Sequence, residues 1–332
     1  MEIDPEIFHF LKFWKSNNNS IIVNTSGSTG KPKKIAVQKK SLINSAKATL
    51  DYFEILNNSK FHCCLPIKYI GGKMMLIRAL INNGEIILTK PSRNVARNLD
   101  IKIDFSAMTP MQVKYSINES GFKNIKKLII GGGSLSYQLE KKLIKKSNKY
   151  YHTYGMTETL SHIAVRPINS LVNNLEYNCL NHVEIKTTKN GNLVVKSPKL
   201  DISSLTTNDI VQITGYQKFK YIGRSDNIIN TGGIKVHPET LEKEIEKKLK
   251  SKDFFIDKIK DEVLGEKIIL IALKSLKMNI IQKVLKNISN QKIAPKLILF
   301  TENFHLTENG KILRKKTKLE SLKKGNLISV NG

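Results

Sequence analysis

The chain has 332 residues, 40% of them hydrophobic, and a net charge of +27, which allows one large and one small domain with separate cores. Its lysines are spread along the chain and form no single basic stripe, so we expect attraction for small anions and no nucleic-acid partner. No apolar run is long enough to span a membrane and the acidic N-terminus lacks a signal pattern, so we expect a cytoplasmic protein without a membrane span.

Helix and strand patterns alternate through the first part of the chain. A short helix precedes the strand SIIVN, and a loop separates this strand from KIAVQ, which leads into a helix with Ser41 as the expected N-cap. KFHCCLP, EIILTK, FSAM and IKKLII are typical of strands, and GGKMMLIRALINNG and YQLEKKLIKKS are typical of helices. The alternation predicts an α/β fold with mixed and parallel sheets.

The pattern becomes β-rich from about residue 181. A hairpin is expected with Asn190 and Gly191 at its turn, and a further strand pair ends at Arg224. Helices and strands then form a compact α+β segment of about a hundred residues, a usual size for a domain. We predict a large N-terminal domain over residues 1–225, which includes the small β-rich region, and a small mobile α+β domain over residues 226–332.

The loop TSGSTGKPK, Thr25–Lys33, has the composition of a phosphate-binding loop. Its glycines let the backbone approach an anion, its hydroxyls can donate to phosphoryl oxygens, and Lys33 can add a charge. It is not a Walker loop, because only two residues separate Gly27 from Gly30, Pro32 follows its first lysine, and strands flank it on both sides. By composition, a phosphate cradle and a flexible surface turn are equally good interpretations.

Four segments taken together resemble the adenylate-forming superfamily of acyl- and aryl-CoA synthetases. The loop is similar to the family signature S/T-S-G-S/T-T-G-x-P-K, and YHTYGMTET at Tyr151–Thr159 resembles the Y-G-x-T-E motif. YIGRSDNIINTGGIKVHPETLE at Tyr221–Glu242 resembles the motif that begins G-R-x-D, and NGKILR at Asn309–Arg314 resembles the terminal N-G-K motif. The four occur in the family's order and span nearly the whole chain.

The resemblance implies a two-step reaction with ATP and coenzyme A as co-substrates. A carboxylate attacks the α-phosphorus of ATP, giving an acyl-adenylate and pyrophosphate, and a thiol then displaces AMP to form a thioester. The family pattern also implies Mg²⁺ bound through Glu158, since this hard cation prefers carboxylate and phosphate oxygens.

The resemblance assigns the catalytic and phosphate-binding roles residue by residue. Thr157 would donate its hydroxyl to the α-phosphate, and Lys311 would bridge the acid and the α-phosphate, whereas nearby lysines would be ordinary solvated ones. Asp226 corresponds to the hinge of the small domain and Gly233 to the glycine that faces coenzyme A. The residues expected to hold the departing phosphates are Thr25, Ser26, Gly27, Ser28, Thr29, Gly30 and Lys33.

The adenosine part of ATP is assigned to a second group of residues. Tyr154 would stack on adenine, and Asp209 and Arg224 would bind the ribose, although Asn208 stands where the family has glycine. A core tyrosine, an ordinary glycine turn and surface ion pairs are the alternative interpretations. The residues expected at adenine and ribose are Gly132, Gly133, Ser134, Tyr154, Gly155, Asp209 and Arg224.

Two features suggest the acid. Only 24 residues precede the loop, so we expect an abbreviated large domain, which is similar to compact o-succinylbenzoate–CoA ligases of menaquinone biosynthesis. LPIKYIGGKMMLIRAL at Leu65–Leu80 resembles a segment of those ligases, with Tyr69 where histidine is frequent. An aromatic dicarboxylic acid keeps one carboxylate free, and Arg78, on an apolar helix, is the candidate to bind it. Thr109 is expected to line the same pocket.

Other interpretations stay open. Arg78 could be a helix-surface arginine, and the acid could be another aryl acid or a fatty acid, which would need no second cation. A non-catalytic nucleotide-binding protein is disfavoured because Glu158, Arg224 and Lys311 are all present. The sequence leaves the oligomeric state open.

Overall fold

The computed structural model describes residues 5–24, 34–168, 175–307, 312–325 and 327–330. The predicted phosphate loop, Thr25–Lys33, and Lys311 lie outside these described residues. The helices are α1 Pro5–Lys15, α2 Lys39–Tyr52, α3 Ile70–Ile81, α4 Pro110–Ser116, α5 Tyr137–Ile144, α6 Pro238–Leu249, α7 Met278–Lys286 and α8 Arg314–Lys323. The strands are β1 Ser20–Asn24, β2 Lys34–Gln38, β3 Lys60–Cys63, β4 Glu85–Leu88, β5 Ile103–Met108, β6 Ile125–Ile130, β7 Lys149–Gly155, β8 His162–Pro167, β9 Glu176–Cys179, β10 Glu184–Thr187, β11 Asn192–Ser197, β12 Ile202–Gly215, β13 Lys218–Arg224, β14 Ile229–Thr231, β15 Ile234–Val236, β16 Phe254–Asp261, β17 Gly265–Leu273, β18 Leu297–Thr301 and β19 Leu327–Ser329.

An eleven-stranded sheet forms the centre of the described structure. Its strand order is β10–β11–β12–β13–β9–β8–β7–β6–β5–β3–β4. Strands β3 to β7 pair in parallel, and the pairs from β7 through β8, β9, β13, β12 and β11 to β10 are antiparallel. The predicted α/β class is therefore confirmed. The β-rich region is not a separate layer, because its strands extend the same sheet.

A second, six-stranded sheet follows the large one. Its order is β15–β14–β17–β18–β19, and β16 pairs with β17. Helices α6 and α7 pack on it through Leu241, Ile245, Ile281 and Leu285, all at most 2% exposed. The last strand of the large sheet ends at residue 224 and the small sheet begins at residue 229. The division into domains at residues 225 and 226 stays a prediction.

The start of α2 differs from the sequence-based expectation. The helix begins at Lys39, with Gln38 as its N-cap residue, and Ser41 is buried inside its first turn. The predicted Ser41 cap is therefore wrong. The reason is that the Lys39 amide donates to the carbonyl of Asn19 at 2.7 Å, so the β1–β2 ladder runs directly into the helix. None of the described helices has the length and apolarity needed to cross a membrane.

His62 is a polar residue held inside the core of the large sheet. It is fully buried, its Nδ1 lies 3.0 Å from Ser106 Oγ, and its Nε2 lies 2.9 Å from Thr89 Oγ1. Because burial disfavours the charged ring, it lowers the pKa of His62 to about 4. A neutral imidazole satisfies both hydroxyl contacts, so the native state keeps His62 uncharged near neutral pH.

This histidine should make stability depend on pH. The folded pKa lies below the unfolded one, so the unfolded chain binds more protons as the pH falls below about 6.5, and the free energy of unfolding decreases. We predict that His62 accounts for about 2 kcal/mol of the loss between pH 7 and pH 5. Urea unfolding of His62→Gln should show that much less pH dependence, with the exposed-site variant His9→Gln as the control. The same pH dependence in wild type and His62→Gln would contradict the assignment.

Candidate active site

The ends of neighbouring strands bring most of the predicted nucleotide residues together. The glycine turn, Gly131–Ser134, follows β6, and Tyr154 and Gly155 end the adjacent parallel strand β7. Asp209 and Arg224 face each other as a pair in the β12–β13 register. Because ligands of α/β sheets bind beyond the carboxyl ends of parallel strands, this edge is the candidate site.

Four predicted residues form one connected group. Tyr154 Oη donates to Asp209 Oδ2 at 2.6 Å, and Arg224 Nη1 lies 3.5 Å from Asp209 Oδ1. Arg224 also makes two parallel bonds to Asp226, from Nε to Oδ1 at 2.9 Å and from Nη2 to Oδ2 at 2.8 Å. One chain of hydrogen bonds and an ion pair therefore connects the stacking, ribose and hinge candidates, Tyr154, Asp209, Arg224 and Asp226.

Opposing effects set the ionisation of the two carboxylates in this chain. Burial raises the pKa of Asp209, and the bond from Tyr154 and the charge of Arg224 oppose that rise. The hydrogen bond from Arg224 lowers the pKa of the more exposed Asp226. The group thus offers a ring face and hydrogen-bonding carboxylate oxygens side by side, which suits an aromatic base joined to a sugar with hydroxyls.

The glycine turn depends on a left-handed residue and on a close approach. Gly132 has φ of +81°, which favours glycine, and a Cβ on Gly131 would lie 2.6 Å from Thr153 Oγ1. The Gly133 carbonyl lies 2.9 Å from Nε2 of His152. The backbone of the turn is therefore fixed against β7.

The predicted catalytic motif forms a short 3-10 turn, Thr157–Thr159, after β7. Thr157 is half-buried and Glu158 is exposed. Packing requires glycine at position 155, because a Cβ there would lie 2.2 Å from the carbonyl oxygen of Ser161. An exposed carboxylate next to the site fits Mg²⁺, which proteins usually hold through one or two carboxylates together with substrate phosphates.

Arg78 is enclosed in the core with an incomplete set of partners. It is 1% exposed, its Nη2 donates to Ser161 Oγ at 2.6 Å, and its Nη1 lies 3.6 Å from Met75 Sδ. Its Nε has no hydrogen-bond partner among the described residues. Burial lowers the pKa of the Arg78 guanidinium to about 9. The helix-surface interpretation of Arg78 is wrong, because the side chain points into the core.

The other two acid-site candidates lie at helix starts, and the coenzyme A candidate lies in the small sheet. Tyr69 precedes α3, with Lys68 Nζ 5.0 Å from its ring centre. Thr109 caps α4, where its hydroxyl accepts from the Gln112 amide at 3.2 Å, so it already has a structural role. Gly233, with φ of +78°, lies in the turn between β14 and β15.

A buried network of polar side chains next to the glycine turn was not predicted from the sequence. His152 Nδ1 lies 2.5 Å from Tyr177 Oη, and Arg166 beside Tyr177 makes two bonds to Glu140 of α5. Burial, with the charge of Arg166, lowers the pKa of His152 to about 3, so the ring is neutral and donates through Nε2 to Gly133. Glu140, His152, Arg166 and Tyr177 lie in four separate elements, α5, β7, β8 and β9. Their spacing in the sequence follows no pattern that would have predicted their contact.

Comparison with known proteins identifies the family of the chain. The sequence profile of the family described as AMP-binding enzyme matches residues 11–198. The chain belongs to the AMP-binding enzyme family. The predicted membership in the adenylate-forming group is thereby confirmed.

The AMP-binding chain is similar to characterised relatives and to solved structures. It is 24% identical to the 2-succinylbenzoate–CoA ligase of Listeria monocytogenes over 95% of this chain and 72% of that protein. It is 26% identical to that of Staphylococcus epidermidis over 96% of this chain and 73% of that protein.

Three solved structures share its fold. An acyl-CoA synthetase (AMP-forming)/AMP-acid ligase II-like protein from Dyadobacter fermentans gives a TM-score of 0.64 at 28% identity, covering 96% of this chain and 95% of the other. The o-succinylbenzoate CoA synthetase of Bacillus subtilis with its acyl-adenylate intermediate gives 0.80 at 18% identity, covering 90% and 68%. The same synthetase with ATP and magnesium ion gives 0.78 at 18% identity, covering 90% and 69%.

The burial of the charged Arg78 side chain predicts how its replacement changes the free energy of unfolding. Because its charged form is disfavoured by burial, Arg78→Met should leave the free energy of unfolding unchanged or raise it by up to about 3 kcal/mol. Urea unfolding at pH 7 measures this. The matched control is Arg166→Met, which leaves Glu140 buried without its partner and should lose about 3–5 kcal/mol. A loss above about 1 kcal/mol for Arg78→Met would show that this arginine serves the fold.

Proposed function

We propose that this AMP-binding enzyme is an ATP-dependent acid–CoA ligase that works through an acyl-adenylate in the cytoplasm. Its substrate is 2-succinylbenzoate, which it converts to 2-succinylbenzoyl-CoA, AMP and diphosphate in menaquinone biosynthesis. The observation that carries this proposal is the buried Arg78, whose Nε has no partner among the described residues. The similarity to two 2-succinylbenzoate–CoA ligases supports the same acid.

The position of Arg78 fits a substrate with two carboxylates. Its guanidinium donates to Ser161, which follows the turn that carries Thr157 and Glu158. An acid whose reacting carboxylate lies at that turn would place a second carboxylate within reach of Arg78, and guanidinium can bind it in two parallel bonds. Because Arg78 is 1% exposed, the side chains around it have to move when the acid enters.

The remaining predicted residues are proposed for defined steps of the first half-reaction. A carboxylate oxygen attacks the α-phosphorus, and the bond to the leaving pyrophosphate breaks with its electron pair. Thr157 donates to the α-phosphate, and Lys311 places a positive charge between the two reactants. The loop Thr25–Lys33 holds the leaving phosphates, Glu158 binds Mg²⁺, and that ion supplies charge stabilisation to the phosphates when bound.

The nucleoside is proposed to bind at the connected group described above. Adenine stacks on Tyr154 beside the glycine turn, and the ribose hydroxyls bond to Asp209 and Arg224. Residues 226–332 act as a lid that turns about Asp226 between the half-reactions. This rotation exposes the coenzyme A path at Gly233. The thiol sulfur then attacks the acyl carbon, and AMP leaves.

A panel of acids tests the substrate. Pyrophosphate release from ATP and Mg²⁺ should be most efficient with 2-succinylbenzoate and weak with benzoate or dodecanoate. Arg78→Met should lower kcat/KM for 2-succinylbenzoate by about 100-fold, because a buried charged contact is lost. With benzoate, which lacks the second carboxylate, wild type and Arg78→Met should differ little. Release with dodecanoate or benzoate but not with 2-succinylbenzoate would overturn the proposed acid.

The two half-reactions separate the role of Lys311. Lys311→Ala should reduce adenylation by about 100-fold or more, because charge stabilisation of the transition state is lost, and should largely spare thioester formation from supplied acyl-adenylate. Pyrophosphate release and thioester formation are measured separately. Lys315→Ala, a neighbouring lysine outside the N-G-K motif, is the control. Equal losses in both half-reactions would contradict the assigned role.

A further inference from the structure

The glycine turn and the start of α5 are bonded to two side chains from α6 and the loop that follows it. Lys252 Nζ donates to the Ser134 carbonyl oxygen at 2.9 Å and to Ser134 Oγ at 2.6 Å. Three residues further, the Tyr137 amide donates to Glu246 Oε1 at 2.7 Å. Two side chains of opposite charge therefore hold the two ends of one short backbone segment.

The shape of α6 directs these side chains toward the turn. Glu246 lies in the last turn of α6 and is 6% exposed. The helix ends at Leu249, and its C-cap residue Lys250 has a left-handed φ of 55°, two residues before Lys252. Ser251 Oγ donates to Asp253 Oδ2 at 2.9 Å, and these two residues flank Lys252. The geometry of both contacts is thus built into the end of α6.

The turn is bonded to two separate parts of the chain. His152 of β7 lies 2.9 Å from the Gly133 carbonyl, and both residues precede Asp226 in the sequence. Lys252 and Glu246, in contrast, follow Asp226. A rotation about Asp226 would leave the His152 contact in place and break the contacts of Lys252 and Glu246.

We propose that Lys252 and Glu246 form a latch on the segment Ser134–Tyr137, which sets the shape of the glycine turn only while the α6 segment is docked on it. Lys252 is then a positioning residue, acting through Ser134 on the nucleotide in the half-reaction that uses this docked arrangement. The role of this turn in nucleotide binding rests on the proposed function. The latch makes the nucleotide site respond to the position of the small sheet.

Half-reaction kinetics of the full chain test the latch. Lys252→Met keeps the length and apolar stem of the side chain and removes its donors. It should slow one half-reaction by about tenfold and leave the other within about twofold, because a charged hydrogen bond is lost in one arrangement only. Lys252→Arg should restore part of the loss, and Lys260→Met, at an exposed site on β16, should have no effect. Equal losses in both half-reactions, or no loss, would overturn the proposal.

A second measurement keeps the latch separate from the proposed function. Amide hydrogen exchange across residues 131–137 should be faster in Lys252→Met than in wild type, and the Kd of AMP, measured by calorimetry without acid or coenzyme A, should rise about tenfold. If wild type binds AMP but activates no acid, the proposed reaction fails and these two readouts still decide the latch. Unchanged exchange and unchanged AMP affinity would overturn it.

Discussion

The pairing of Asp209 with Arg224 is the interaction on which the rest of the site depends. The two residues face each other in the β12–β13 register, and Arg224 Nη1 lies 3.5 Å from Asp209 Oδ1. Asp209 accepts from Tyr154 at the end of β7, and Arg224 binds Asp226 at the start of the next segment. Hydrogen bonds and one ion pair therefore connect the aromatic ring, the carboxylate and the proposed hinge.

Arg78 shows a conflict between stability and binding. A guanidinium that is 1% exposed and has an unpartnered Nε among the described residues is unfavourable for the free chain. Arg166, which is also buried, has the carboxylate of Glu140 as its partner. This contrast between the two arginines supports the proposal that Arg78 binds the acid, whereas Arg166 serves the fold.

The glycine turn is bonded to side chains from two distant segments of the chain. Its φ of +81° at Gly132 and the close approach of Gly131 to Thr153 determine its residue types locally. Its partners come from distant parts of the chain, since His152 bonds to the Gly133 carbonyl and Lys252 to the Ser134 carbonyl. The neutral state of His152 fits this role, since a carbonyl needs a donor and Nε2 provides it. The proposed nucleotide site therefore has contacts from two distant segments of the chain.

The sequence by itself determined the α/β class, the family and the residue types of the candidate site. Strong local periodicity predicts α3 and β6, and contiguous motifs single out Thr157 and Arg224. It failed at Ser41, because the N-cap was decided by the β1–β2 ladder, and it did not predict β16, where FFIDKIKD mixes charged residues into the strand pattern.

Only the tertiary structure decided that Arg78 points into the core, that the β-rich region extends the large sheet, and that Lys252 bonds Ser134 across 118 positions of the chain. Local patterns encode which backbone each segment prefers. Contacts between distant residues depend on how the sheets pair and pack, and neither spacing nor composition records that arrangement.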